Sequence, residues 1–73
     1  MVTSDQQAME ERHLAKFHEI REVLRKDLVF WEASEHEAYA PRMLSQIHQS
    51  IELNASLIKI AEQRIEALQH KSE

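Results

Sequence analysis

Glu10 and His13 carry the spacing in this chain most able to do chemistry. On a helix, a Glu-x-x-His pair projects both side chains to one side, as in carboxylate-bridged di-iron and di-manganese bundles. Two copies of a helical hairpin would bring two such pairs together. Both residues project on the apolar side of their segment. The pattern, however, also demands an inward carboxylate from the facing helix. Antiparallel pairing sets Glu10 and His13 opposite residues 68 to 71, and Glu62 and Glu66 point away from the apolar seam. Half of the ligand set is missing, so no metal or cofactor is expected. A di-metal helical protein stands as the alternative reading.

Other chemical signals are weaker. "HEIRE", His18 to Glu22, resembles the helical zinc-protease pattern, but that pattern needs a second histidine where Glu22 stands. "SEHE" sets Glu35, His36 and Glu37 near Glu32, a cluster able to hold a divalent cation weakly and more simply read as a solvated turn. Asn54-Ala55-Ser56 matches a glycosylation sequon, but its mid-helix position makes it a chance match. No Ser–His–acid or Cys–His constellation can be built at helical spacings. The chain is expected not to be an enzyme.

Composition narrows the choice further. With 73 residues there is one domain, 1–73, and a small core. There is no cysteine, so disulfides and thiolate metal sites are excluded, which suits a reducing compartment. There is no glycine, which removes phosphate-binding loops and most hairpin turns. A chain this short needs a staple or a partner, and association is the route left open.

Net charge is −4, with nine acids against five Lys or Arg in residues 1–40 and four of each in residues 41–73. No basic stripe marks a nucleic-acid binder, because Arg12, Lys16, Arg21, Arg25 and Lys26 are interleaved with Glu19, Glu22 and Asp27. A dimeric nucleic-acid regulator is kept as a further alternative. No apolar run approaches the ~20 residues of a membrane span. The N-terminal "MVTSDQQAMEER" lacks the apolar core of a signal peptide. A cytoplasmic protein is expected, with neither nucleic acid nor membrane among its partners.

The elements that position these residues are helices. Ser4 followed by Gln7 is a capping-box pattern, and Asp5 suits a helix N-terminus. Helix 1 is expected over about 5–39, with a possible break near 33–35, where Ser34 to Glu37 repeats the capping-box pattern. Ala40-Pro41 is the strong break, because proline disfavours helix before it and fits a first turn. Helix 2 is expected over about 41–70. A short connection favours an antiparallel pair.

On helix 1, Phe17, Ile20, Leu24, Leu28 and Trp31 share one face, with Leu14 at its edge. On helix 2, Leu44, Ile47, Ile51, Asn54, Ile58, Ala61, Ile65 and Leu68 recur at alternating spacings of three and four, a coiled-coil-like seam. Leu53, Leu57 and Ile60 widen it on one side. That is more than one neighbour covers, and a second copy of the chain is the simplest cover. The expected fold is an all-α, two-helix antiparallel hairpin dimerising into a four-helix bundle. Ile47, Ile51, Asn54, Ile58, Ile65 and Leu68 are the expected self-association residues. Asn54 would set the register by meeting its own copy near the two-fold axis.

"LVFW", Leu28 to Trp31, puts large groups all round helix 1. Val23 and Phe30, with the acids Glu32, Glu35 and Glu37, form the expected binding surface for another protein. The function expected is a non-enzymatic protein–protein interaction module: an adaptor, co-chaperone or inhibitor-type regulator.

Overall fold

The computed structural model describes the backbone of residues 2–72 and the side chains of residues 5–70. The chain is an all-α hairpin of two long helices, α1 (Val2–Ala33) and α2 (Ala40–Ser72), packed against each other. Cross-helix contacts between Phe17 and Asn54, and between Glu10 and Arg64, show that the helices run antiparallel.

α1 begins two residues before Ser4, so Ser4 does not start the helix. The Ser4 side chain lies outside the described residues. Gln7 turns instead to its own helix, where its amide nitrogen donates to a Glu11 carboxylate oxygen at 3.2 Å.

α1 ends at the break expected near 33–35 and does not continue to residue 39. It stops at Ala33, and residues 34–39 form the connection. "SEHE" closes a helix here and does not open one. The Ser34 hydroxyl donates back to the Phe30 carbonyl at 3.0 Å, satisfying one of the acceptors a helix end leaves open. The chain then reverses through linked tight turns. Ser34 N–H donates to the Trp31 carbonyl, Glu37 N–H to Ser34, and Ala40 N–H to Glu37, at 3.2, 2.9 and 3.1 Å. No residue among those described has a positive φ, which is how a chain without glycine makes this corner.

Helical bonding resumes when Met43 N–H donates to the Tyr39 carbonyl at 3.1 Å. α2 starts at Ala40, one residue before Pro41. Pro41 still occupies the first turn, where its missing N–H costs nothing. Ala40 is completely buried at the corner. Trp31 sits half-buried there, edge-on to Phe30 with ring centroids 5.1 Å apart and to Tyr39 at 5.5 Å.

The core is thin. Ile47, Ile58, Ala61 and Asn54 are buried, while Leu14, Phe17, Leu24, Leu28, Trp31, Leu44, Ile51, Ile65 and Leu68 are half-buried. The α1 seam therefore follows Leu14, Phe17, Leu24, Leu28 and Trp31. Ile20, expected within it, is displaced to the flank and exposed, and Leu14 moves from the edge into the seam. Arg21 stands where the heptad calls for an apolar residue, and it too is exposed.

Candidate interaction surface

Asn54 answers to α1. Its amide nitrogen donates to the Phe17 backbone carbonyl at 3.0 Å, and the residue is only 5% exposed. That carbonyl already accepts the Arg21 N–H within the helix, and its second lone pair is free for Asn54. A hydrogen bond across the seam thus fixes the level at which α2 meets α1. Of the residues expected to meet a second copy, Ile47, Asn54 and Ile58 are buried within the hairpin, and Ile51, Ile65 and Leu68 are half-buried along the same seam. The seam that the sequence offered for self-association faces α1 first.

The unspent apolar surface lies beside the seam. At 100° per residue, Met9, Ile20, Val23 and Phe30 all fall on one flank of α1. Leu53, Leu57, Ile60 and Ala67 fall on the corresponding flank of α2. In an antiparallel pair these flanks adjoin, and two open grooves demonstrate it. One, of about 230 Å³, is lined by Phe17, Ile20, Leu24, Leu53 and Leu57 together with Ser50 and Asn54. The other, of about 320 Å³, is lined by Gln6, Met9, Glu10, Arg64, Ala67 and Leu68. Met9, Ile20, Val23, Phe30, Leu53 and Ile60 are all large and exposed. Only Val29 and Tyr39, among the large apolar groups comparably exposed, lie elsewhere.

The opposite flank is polar. It carries Glu11, His18, Glu22, Arg25 and Glu32 on α1, and His48, Glu52, Lys59, Glu62 and Glu66 on α2. The large exposed apolar groups thus gather on one broad face, interspersed with His13, Lys16, Asp27 and Arg64, and the other face is mostly charged.

Val23 and Phe30 therefore belong to a face that both helices build. Glu35 and Glu37 stand apart from it in the exposed turn, where the Glu37 carboxylate lies 3.8 Å from the His36 ring. Glu32 lies on the charged flank. Val23 and Phe30 share a flank with Ile20, Leu53 and Ile60, and Phe30 stands at the turn end of that flank, two residues before Glu32.

At the open end of the hairpin, the Glu10 side chain is mostly covered. Its two carboxylate oxygens face different partners: the His13 ring on α1 at 3.9 Å and the Arg64 guanidinium on α2 at 3.8 Å. Arg64 occupies the place where a bridging metal would need a second carboxylate. No group of three or more His, Asp or Glu able to hold a metal ion occurs among the described residues. His18 and Glu22 are exposed; Glu22 lies 3.7 Å from Arg25, and Lys16 lies 3.4 Å from Glu19.

No protein family matches the chain, nor does any curated protein or solved structure. The surface must be read on its own chemistry. No described helix is long and apolar enough to cross a membrane, so the apolar face is that of an amphipathic hairpin and not of a membrane span.

Proposed function

We propose that this chain is a non-enzymatic protein–protein interaction module, an adaptor, co-chaperone or inhibitor-type regulator, that works through its apolar broad face and assembles into a four-helix bundle. The observation that carries this reading is the alignment of Met9, Ile20, Val23, Phe30, Leu53 and Ile60 on one face while the other face is charged. Large apolar groups gathered on one face are held in water only at a cost, and they mark places where another protein docks. The grooves along the face are shallow and open, and the polar groups lining them are few. That suits side chains of a partner better than a substrate held for reaction.

Supporting features agree. Lys16 and Arg25 each have a glutamate beside them, which weakens the case for a phosphate-binding surface. The absence of cysteine suits action in a reducing compartment, in keeping with a cytoplasmic setting.

The test is a photo-reactive amino acid placed at Leu53 or Ile60 in the native host, with Glu52 on the charged flank as control. Defined cross-linked products at Leu53 and Ile60 that are missing at Glu52 support the reading. No product at any position, or the same products at all three, refutes it.

A further inference from the structure

The occupant of the apolar face can be argued from its size and symmetry. The hairpin is far from compact. Its radius of gyration is 16.6 Å, against about 11 Å for a globular chain of this length. It exposes 5825 Å², whereas a folded monomer of 8.6 kDa exposes about 4,700 Å². The excess, about 1,100 Å², is close to the ~800 Å² that each partner gives up in a standard interface. No large side chain among the described residues is fully buried. One more layer of the same dimensions would correct all of this, since the hairpin extends 55 × 14 × 12 Å between Cα atoms.

The pattern along the face is also self-complementary. Ile20 lies near its middle, level with Ser50 and Leu53 across the groove. His13 stands seven residues before Ile20 and Asp27 seven residues after, on the same flank. Met9 and Phe30 lie farther out, eleven residues before and ten after. A two-fold axis perpendicular to the helices at Ile20 exchanges these positions. It sets His13 against Asp27 of the second copy and Met9 against Phe30 of the second copy, a thioether on an aromatic ring. Asp27 has no ion-pair partner among the described residues. A two-fold axis along the helices would instead lay α1 over α2 of the second copy, and neither of these pairings would form.

We infer that a second copy of this chain covers the apolar face, antiparallel to the first, about a two-fold axis passing near Ile20, Ser50 and Leu53. This rests on the reading of the face as an interaction surface and names its occupant. The two hairpins form a four-helix bundle whose central layers combine each hairpin's half-buried seam with the exposed flank residues of the other.

The chain has no cysteine, so single cysteines report the geometry cleanly. Sedimentation of the full chain at micromolar concentration should give twice the 8.6 kDa chain mass. With a short bismaleimide, Ser50→Cys, a conservative change at the axis, should cross-link to itself. Phe30→Cys alone should lose that reaction, being far from the axis. A mixture of Met9→Cys and Phe30→Cys chains should regain it as a mixed dimer. Circular dichroism of each variant checks that the hairpin is intact. A folded 8.6 kDa monomer overturns the proposal. So does a dimer in which Phe30→Cys self-links as readily as Ser50→Cys, or one in which neither links. The photo-cross-linking at Leu53 separates the two levels. A product with a different protein, from a chain that is monomeric, ends the dimer and leaves the interaction reading standing. No product at all ends both.

Discussion

Replacing Asn54 tests the central packing most sharply, because two substitutions there should move stability in opposite directions. Asn54→Ala removes the amide that reaches the Phe17 carbonyl at 3.0 Å. The carbonyl keeps its helical partner, so no acceptor is orphaned, and the loss is the net worth of one hydrogen bond, about 0.5–1.5 kcal/mol. Some packing goes with it. A total near 1–2 kcal/mol is expected, and each kcal/mol moves the melting point of so small a domain by about 4–8 °C. Asn54→Leu loses the same bond but buries a leucine, worth about 1.5–3 kcal/mol. The groove beside Asn54, lined by Phe17 and Leu57, gives the longer side chain room. Leucine is also the better helix former. The balance favours Asn54→Leu by about 1 kcal/mol over the parent. Thermal melts followed by circular dichroism, at one protein concentration because association shifts the midpoint, should rank the leucine variant above the parent and the alanine variant below it. The leucine variant should also lose uniqueness of register, seen as extra amide resonances. A leucine variant that melts with or below the alanine variant would show that the amide outweighs leucine burial, and the reasoning would fail.

Three further outcomes are expected. Ile58→Asp places an unpaired charge at a buried seam position, so helical signal should collapse at ambient temperature; a folded Ile58→Asp chain would contradict the assigned seam. Phe30→Ala should keep its helicity, because Phe30 is 60% exposed and touches the half-buried Trp31 only edge-on, while association through the apolar face weakens by about 1–3 kcal/mol as for an interface anchor; sedimentation or binding titration reads this, and unfolding would show that Phe30 is core. Arg64→Ala should lower the melting point by no more than a few degrees, since Arg64 is 66% exposed and such pairs are worth about 0–1 kcal/mol, and iron, manganese or zinc should not raise the parent's melting point; stoichiometric metal uptake that is lost in Glu10→Ala would reverse the reading of that cluster.

The two helices, the α2 seam and the break at the single proline were legible in the residues alone. These follow from local rules. Apolar residues at alternating three and four spacings must share a helix face, and proline cannot sit in a helix interior. The α2 series from Leu44 to Leu68 accordingly lines the hairpin, and Leu53, Leu57 and Ile60 widen the apolar surface on the side the sequence indicated. The capping-box pattern at Ser4 misplaced the start of α1, whereas the one at Ser34 marked the break where α1 ends. Ser4 lies inside the helix, and Ser34 bonds backward to Phe30. A serine hydroxyl serves either helix end, so residue type alone leaves the direction open.

What the tertiary structure decided was which residues meet. Asn54 was visible as a break in the pattern, but whether it faced its own copy or α1 depended on the cross-helix level, which no local rule sets. The Phe17 carbonyl could not have been named beforehand, because a backbone acceptor leaves no mark in the sequence. Ile20 sits within one turn of both Phe17 and Leu24, so periodicity placed it in the seam. The pairing rotates α1 to bring Leu14 inward and turns Ile20 out. That rotation gathers Ile20, Val23 and Phe30 from α1 with Leu53 and Ile60 from α2 on one face. Such a face belongs to neither helix and exists only once the two have packed.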